Sequence, residues 1–379
     1  MKEYDVFIAG GGIAGSVAAK FTAKGGLKTL FIEKYKTPRM KSCSGIQFPY
    51  MEKIIGEKTP EDKLCSNKLT KIEFHRPDGK KFKASYKMLN FTRDVYDDWL
   101  NQVAIKYGAE FRDEYSLIDW DIVEDNILVK ISDKDKNIEE IKTNYLIDAT
   151  GLMPVVRMKM QPNNFEKRST GATVNYYFDG EGDLDPNCLY QFWNLEFNNM
   201  MFAWIYKKND LWVIGTGNDK NIAKVGQKFF NFVKKKFNLT GEVVKKEGFS
   251  STMNMAEGRV ALGEGRILFV GDAAGLVDMY RGVGMDAAAL SGRLAAKAIH
   301  EVEKEGKNKD LVYDVYAKLM RKVVKQTNHN IGKGIYYLLD NNELLKYLKR
   351  FMYKEGISMF LQRFINKFRN PTNVTLLPP

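Results

Sequence analysis

The hydrophobic pattern at the start of the chain predicts a strand, a helix and a second strand. Tyr4 to Ala9 is a short apolar run of the strand type, and Ser16 to Lys24 is an alanine-rich stretch of the helical type. Leu27 to Ile32 is apolar again and ends on Glu33. A glycine-rich turn lies between the first run and the helix, so the pattern predicts a βαβ unit.

The rest of the chain alternates between strand and helix patterns. Thr70 to Phe91 is typical of a hairpin around Pro77-Asp78-Gly79, and Arg93 to Tyr107 is typical of a helix. Asn126 to Ile131 alternates as in a small β-meander, and Tyr145 to Asp148 is apolar like a sheet strand. The later predicted elements are strands at Gly171–Phe178, Cys188–Trp193, Met201–Tyr206 and Leu211–Gly215, a helix near 219–238, and helices from about 306 onward.

The first turn has the spacing of a dinucleotide-binding loop. Gly10 allows the tight turn, Gly12 lets the backbone approach a pyrophosphate, and Gly15 lets the helix pack close to the strand. Glu33 follows Gly15 by 18 residues, where a carboxylate can bind a ribose hydroxyl. A turn that binds nothing would not need three glycines. NAD and FAD share this geometry, so the turn alone does not choose between them.

A second glycine-containing segment favours FAD. Arg266 to Gly275 is an apolar strand that ends in Gly271-Asp272, and the segment from Arg281 to Gly292 opens another alanine-rich helix. An acid after a strand can hold ribityl or ribose hydroxyls. A glycine-rich helix start can face the edge of a flavin that becomes negative on reduction. Two remote sites suit the two halves of FAD, whereas an NAD dehydrogenase has no use for the second.

These motifs resemble the geranylgeranyl reductase branch of the para-hydroxybenzoate-hydroxylase-like flavoproteins over roughly residues 1 to 300. The resemblance implies FAD and the reduction of isoprenoid double bonds. It implies cofactor contacts at Gly10, Gly12, Ala14, Gly15, Glu33, Lys34, Ser42, Cys43, Ser44, Gly45, Arg93, Leu117, Thr150, Gly151, Gly271, Asp272, Gly282, Gly284 and Met285. In this resemblance Cys43 lies beside the isoalloxazine, and Arg157 belongs to the middle motif around Asp148-Ala-Thr-Gly151.

The chain departs from the family pattern at a few positions. Thr150 stands where an aspartate is usual, and Lys207 stands where the aromatic sheet motif usually ends in proline. Met279 and Val283 replace a usual proline and glutamate. Asp272, Gly282 and Gly284 remain, so the FAD assignment holds, but the substrate assignment loses support near the reacting end of the flavin.

The predicted fold class is α/β. A Rossmann-like FAD-binding domain is interleaved with an antiparallel-sheet substrate domain, and C-terminal helices follow. The predicted FAD-binding domain comprises 1–70, 92–165 and 257–305; the substrate domain comprises 71–91 and 166–256; and the C-terminal helical region is 306–379.

The three cysteines and the aromatic residues supply candidate chemistry. Cys43 has two interpretations: a small buried packing residue, or a catalytic thiol that faces the flavin. Its position near Gly45 favours the catalytic thiol. Cys65 and Cys188 are interpreted as packing. Trp204 and Tyr206 share one strand face and are predicted to bind substrate, whereas Tyr190, Phe192, Trp193, Phe202 and Trp212 are interpreted as packing.

Composition excludes several classes of protein. The 379 residues carry only 3 His, so no histidine metal cluster is expected, and none of the 3 Cys lies in a CxxC pair. No run approaches the ~18 apolar residues of a membrane span. We therefore expect reduced thiols in a cytoplasmic protein. The N-terminus enters the first strand at once, which argues against a signal peptide.

The net charge of +12 suggests either a solvated cationic surface or an anionic partner. No nucleic-acid-binding motif accompanies the charge, so no nucleic acid is expected. The stretches Leu344–Met352 and Met359–Arg369 combine apolar residues at helical spacing with Lys and Arg. This pattern is typical of a helix on an anionic membrane, although such helices also pack as ordinary core. Peripheral contact with the inner face of the membrane is the resulting hypothesis.

Three functions remain open at this stage. The first is a reductase of carbon–carbon double bonds in a hydrophobic prenyl substrate, which takes electrons from an external donor, ferredoxin or NAD(P)H, since no second dinucleotide fingerprint exists. The second is a flavin monooxygenase or halogenase; the tryptophan-halogenase pattern is absent, because only Trp204 of it remains. The third is a flavin-binding protein without turnover. The sequence names neither substrate nor oligomeric state.

Overall fold

A computed structural model describes residues 1–164, 170–252, 260–278, 282–331 and 335–376. Met279 and Arg281, which belong to the last predicted motif, lie outside the described residues. The strands are β1 (Lys2–Ala9), β2 (Thr29–Glu33), β3 (Ile46–Gln47), β4 (Lys71–His75), β5 (Lys81–Ser85), β6 (Leu89–Asn90), β7 (Glu110–Asp113), β8 (Ser116–Val123), β9 (Asn126–Ser132), β10 (Ile138–Asp148), β11 (Thr170–Glu181), β12 (Cys188–Phe192), β13 (Ala203–Lys208), β14 (Leu211–Asn218), β15 (Thr240–Thr252), β16 (Gly263–Glu264) and β17 (Ile267–Phe269).

The helices are α1 (Ile13–Lys24), α2 (Tyr50–Ile55), α3 (Arg93–Lys106), α4 (Val155–Met160), α5 (Ile222–Lys236), α6 (Met285–Glu305), α7 (Val312–Ile331) and α8 (Asn341–Phe368). The predicted βαβ unit, the hairpin around Pro77-Asp78-Gly79 and the helix at Arg93 are confirmed. The 13-residue strand β15 was not predicted.

The first sheet is a parallel sheet extended by a meander. Strands β17, β10, β1, β2 and β7 lie side by side in that order and are all parallel. Strands β8 and β9 join antiparallel beside β10. Strand β1 is central and completely buried from Val6 to Ala9, as expected for a parallel strand covered on both faces. Helix α1 packs against both α3 and α6. The carboxyl ends of the parallel strands β1, β2, β10 and β17 meet at one edge.

The second sheet has the order β15-β11-β14-β13-β12-β4-β5. Its pairings are antiparallel except that β12 runs parallel to β4, which the sequence did not reveal. One face packs on helix α5, where Tyr176, Phe192 and Ile205 of the sheet form a core cluster with Phe229 of the helix. The opposite face is turned toward the connections of the first sheet. The division into an FAD-binding domain, a substrate domain and a C-terminal helical region stays a proposal, and the separation of the two sheets supports it.

Candidate functional site

The glycine-rich turn between β1 and α1 has a shape that requires glycine. Gly10 has a φ of +114°, and a Cβ there would lie 2.3 Å from the carbonyl oxygen of Ala149. A Cβ on Gly15 would lie 1.9 Å from the carbonyl oxygen of Gly10. Helix α1 therefore approaches β1 closely, and it begins after Gly12 without a side-chain cap. The N–H groups at such a helix start can bind an anion.

Glu33 lies beside this turn at the end of β2. Its Oε2 accepts a hydrogen bond from the N–H of Gly11 at 3.2 Å and lies 2.9 Å from Nε of Arg39. The Arg39 guanidinium also faces the turn, since a Cβ on Gly12 would lie 3.2 Å from its Nη2. A carboxylate suited to ribose hydroxyls and a guanidinium suited to phosphate are therefore both present here.

A cavity of about 260 Å³ begins at the glycine turn and continues between the two large sheets. Most of the side chains around it are apolar, and they come from segments far apart in the chain. The first sheet's connections contribute Gly12, Ile13, Ala14, Ala149, Gly151, Leu152, Val270, Asp272, Val277, Gly282, Val283, Gly284, Met285 and Ala288; a loop and the start of α3 contribute Lys41, Ser42, Cys43, Ser44, Ile46 and Arg93; and the second sheet and its loops contribute Thr173, Asn175, Leu189, Met201, Phe202, Trp204, Tyr206 and Phe249.

The loop that carries Cys43 forms a side wall of the cavity. The half-buried Cys43 thiol donates to Sδ of Met285 at 3.7 Å. The loop is held in place by the pairing of β3 with β6, and the carbonyl of Gly45 accepts from the N–H of Phe91 at 2.9 Å. The buried ammonium of Lys208 donates to the carbonyl oxygen of Phe91. The thiol is therefore held at a fixed place in the cavity wall.

Arg93 places a positive charge in the same wall. Two parallel hydrogen bonds of 2.7 Å join its guanidinium to the carboxylate of Asp97. Burial disfavours the charged form, but the Asp97 carboxylate outweighs this and raises the pKa of Arg93 above its usual range. The guanidinium therefore stays charged at neutral pH.

The middle motif ties the first sheet to α4. The completely buried Asp148 carboxylate accepts from the N–H groups of Val156 and Arg157 at 3.1 and 3.0 Å, and from Oγ1 of Thr150 at 2.6 Å. Burial raises the pKa of Asp148, and these hydrogen bonds oppose that rise. Nη1 of Arg157 then donates to the carbonyl of Ala273 at 3.0 Å. The motif thereby links the ends of β10 and β17 beside the cavity.

The start of α6 forms the far wall. Gly284 and Met285 line the cavity there, and α6 begins without a side-chain cap. A helix start carries a positive charge equivalent to about half a unit. Asp272 lines the same wall, with Oδ2 at 3.4 Å from Nζ of Lys41. Two uncapped helix starts, those of α1 and α6, therefore meet at one cavity.

One face of the second sheet roofs the cavity. Leu189 of β12 lines the cavity together with Trp204 and Tyr206 of the adjacent strand β13. Trp204 Nε1 donates to Oδ1 of Asn175 at 2.9 Å across Gly215, where a Cβ would lie 2.2 Å from both atoms. Burial raises the pKa of Tyr206 well above its ordinary value, so the phenol stays neutral.

The structure brings most of the residues predicted from sequence together. Those that line the cavity are Gly12, Ala14, Ser42, Cys43, Ser44, Arg93, Gly151, Trp204, Tyr206, Asp272, Gly282, Gly284 and Met285. Gly10, Gly15, Glu33, Gly45, Thr150 and Gly271 belong to the same segments but do not line the cavity. Lys34 is exposed, and Leu117 lies in the hydrophobic core of the first sheet. The cofactor and catalytic roles given to these residues stay predictions.

Sequence reasoning missed part of the roof. Phe202 packs in the core as interpreted, and it also lines the cavity, which the sequence did not indicate. Thr173, Asn175 and Phe249 were not singled out, although they share the roof face with Trp204. One signal was available for Asn175: a glycine inside a strand marks a close approach, and Gly215 is such a glycine.

These residues fit a dinucleotide with a flavin at one end. The space over Gly12, with Arg39 beside it and a helix start beneath it, suits a pyrophosphate. Asn101, next to Gly11, is buried, and its Nδ2 has no hydrogen-bond partner among the described residues, which leaves a donor for a ligand. Arg93 and the α6 helix start would place positive charge at the other end, where a reduced flavin is negative.

Comparison with known families settles the cofactor class. A family model described as "FAD binding domain" matches residues 3–330. The chain belongs to this FAD-binding family. FAD is therefore its cofactor, and the protein is a flavin oxidoreductase.

Individual relatives agree with the resemblance read from the sequence. A protein named digeranylgeranylglycerophospholipid reductase from Methanosarcina acetivorans is 25% identical over 355 residues, which are 88% of this chain and 84% of that protein. Digeranylgeranylglycerophospholipid reductase 3 from Methanosphaera stadtmanae is 26% identical over 320 residues, 79% of each chain. The crystal structure of a geranylgeranyl bacteriochlorophyll reductase-like protein from Thermoplasma acidophilum superposes with a TM-score of 0.77 at 20% identity and covers 91% of this chain and 90% of that one.

These findings confirm the predicted fold class, the FAD cofactor and the resemblance to geranylgeranyl reductases. Among the described residues, no helix is both long enough and apolar enough to cross a membrane.

Proposed function

We propose that this FAD-dependent oxidoreductase reduces isoprenoid carbon–carbon double bonds in a prenyl lipid or a prenylated small molecule. The observation that carries the proposal is the cavity, where the Cys43 loop and two helix starts face an aromatic, apolar roof. The relatives named digeranylgeranylglycerophospholipid reductase support it. A prenyl chain has no charge and few polar atoms, so Trp204, Phe202 and Leu189 suit it by burying apolar surface.

In this proposal the protein's own groups orient the alkene and supply a proton. Trp204 is fixed by its hydrogen bond to Asn175, so its indole offers a rigid surface to the chain. Cys43 has its thiol hydrogen in the cavity wall, directed to Met285. That hydrogen, or one from water, would reach the alkene carbon that does not receive the hydride.

Bound FAD, once reduced, would supply the hydride that alkene reduction needs. Gly10 to Ala14, Glu33 and Arg39 would hold the adenosine and pyrophosphate part, and Cys43, Arg93, Asp272 and Gly284 would surround the flavin. The α6 helix start and Arg93 would stabilise negative charge there. Ferredoxin or NAD(P)H would bring the electrons, because the sequence carries no second dinucleotide fingerprint.

The test uses purified FAD-loaded protein, photoreduced without oxygen in a stopped-flow spectrometer. Geranylgeraniol is added in one arm, and air together with an aromatic compound in the other. We expect the prenyl alcohol to restore the oxidised flavin absorbance in the absence of oxygen. If the alkene leaves the flavin reduced, while air together with an aromatic compound reoxidises it and gives a hydroxylated product, the monooxygenase alternative replaces this proposal. No turnover in either arm also contradicts it.

We also propose that the protein is cytoplasmic and touches the inner face of the membrane through α8. Leu344 and Leu348, near the start of α8, are buried against Trp193 and Phe202. The last turns of the same helix instead expose Leu361, Phe364, Ile365 and Phe368, at 53%, 58%, 37% and 76% of their surfaces. These four residues have the i, i+3, i+4, i+7 spacing of one helix face. An exposed apolar stripe on a cationic protein suits an anionic bilayer that holds a lipid substrate.

A further inference from the structure

Helix α3 carries a buried polar stripe along the dinucleotide site. Arg93, Asp97 and Asn101 are four residues apart, so they lie on one helix face. Their exposed fractions are 6%, 2% and 1%. Arg93 lines the cavity, and Oδ1 of Asn101 accepts from Ser16 at 2.6 Å beside the glycine turn. The stripe therefore runs from the flavin-facing cavity to the pyrophosphate turn.

Asp97, in the middle of the stripe, contacts two arginines. It holds Arg93 with two hydrogen bonds of 2.7 Å, and its Oδ2 lies 3.6 Å from Nη2 of Arg39. At its other side Arg39 lies 2.9 Å from Glu33. Four charges of alternating sign, Glu33, Arg39, Asp97 and Arg93, thus connect the ribose-binding end of the site to the flavin-facing cavity. None of the four side chains is more than 13% exposed.

Burial makes this chain of charges sensitive to its surroundings. Charges that are shielded from water interact more strongly than surface charges, and salt screens them less. The phosphates of FAD would attract Arg39, which lies beside Gly12. The strength of the Arg39–Asp97 interaction determines how completely the Asp97 carboxylate neutralises the charge of Arg93. A change in the pairing of Arg39 at the pyrophosphate end therefore alters the net positive charge at the flavin end.

We propose that Asp97 is a positioning residue that couples the two ends of the FAD site. It holds Arg39 for the pyrophosphate and Arg93 for the flavin, and it sets how much positive charge the flavin experiences. Asp97 would not touch the reacting atoms. This inference needs only the FAD site, so it stands or falls separately from the proposed substrate.

The test compares Asp97→Asn with Asp98→Asn. Asp98 is half-buried on the same helix and is turned by about 100° from Asp97, which makes it a matched control. FAD affinity is measured by quenching of flavin fluorescence, and the midpoint potential by anaerobic titration with a reference dye. We expect Asp97→Asn to weaken FAD binding by roughly tenfold, as for the loss of one charged hydrogen bond. We expect its potential to become more positive, since an uncompensated Arg93 favours the anionic reduced flavin.

A double-mutant cycle with Arg39→Met tests the coupling itself. Arg39 does not line the cavity, yet its removal should make the potential more negative, because Asp97 then neutralises Arg93 more fully. The effects of Asp97→Asn and Arg39→Met should not add. Additive effects, or a potential in Asp97→Asn equal to those of the wild type and Asp98→Asn, would overturn the inference. Should Asp97→Asn fail to fold, an unchanged potential in Arg39→Met would overturn it alone.

Discussion

Cys43 differs from the other two cysteines in where its sulfur lies. Cys65 and Cys188 are 8% and 2% exposed and pack in the core, which confirms the sequence interpretation for both. Cys43 is half-buried, and its thiol lies at the junction of the side wall with the start of α6. A thiol held in the wall of the cavity is well placed to act as an acid.

Replacing Cys43 by alanine tests this role. We expect Cys43→Ala to keep FAD bound but to slow the alkene-driven reoxidation of the flavin by about a hundredfold, the usual contribution of a positioned proton donor. Stopped-flow absorbance measures the rate, and Cys65→Ala serves as the control because its thiol lies outside the cavity. Equal rates in Cys43→Ala and the wild type would assign the proton to water.

Single residues also show what a sequence cannot give. Glu33 was predictable because its distance from Gly15 follows from the length of one βαβ unit. Asp97 was not singled out. Its pairing with Arg93 is an i,i+4 pair that the helix pattern contains, but its contact with Arg39 forms only after α3 has packed beside the glycine turn. The links from Arg39 to Glu33 and Asp97 join separate segments, so they depend on tertiary packing and leave no periodic signal in the chain.

The sequence predicted the helices and strands in which apolar residues recur at regular spacing. Helix α3 and the strand at Leu211 were predicted within a few residues of their observed bounds. Strand β15 was missed because Lys245-Lys246-Glu247-Gly248 interrupts any apolar alternation. Strand β15 forms because it pairs along its length with β11, and it is itself the edge strand of the sheet. An edge strand tolerates such residues, since charged side chains there discourage pairing with other chains.

Helix α8 has one part that packs in the core and another part whose apolar residues are exposed. The sequence left open whether the C-terminal helices pack as core or lie on a membrane. Leu344 and Leu348 pack, whereas Phe364 and Phe368 are exposed. The change occurs along a single helix, so the end of α8 can contact a surface while its start supports the cavity wall.

Vesicle binding tests the proposed contact of α8. We expect the wild type to co-sediment with phosphatidylglycerol-containing vesicles, and Phe364→Glu with Phe368→Glu in one protein to abolish this, because two carboxylates oppose both burial and the anionic surface. A matched control places the same charges at Ile122 and Val123 of strand β8, which are 63% and 49% exposed. Loss of binding in the control as well, or none in the wild type, would contradict the contact.

At the scale of the whole molecule, the site arises from the meeting of two sheets. The carboxyl ends of the parallel strands bring together the glycine turn, the middle motif and the start of α6, which are separated by more than a hundred residues in the chain. The second sheet then covers them with a face whose apolar and aromatic members come from β12, β13 and β15, while β11 contributes the polar Thr173 and Asn175. The sequence predicted both layers, but the register that places Asn175 opposite Trp204 across Gly215 required the structure.

The most direct measurement is the mass of the product after a single anaerobic turnover. Photoreduced, FAD-loaded protein is mixed with geranylgeraniol, and the extracted lipid is examined by mass spectrometry. A reductase would yield molecules heavier by the mass of two hydrogens for each double bond reduced, in an amount equal to the flavin reoxidised. Recovery of unchanged geranylgeraniol from a protein that carries reduced FAD would contradict the proposed function.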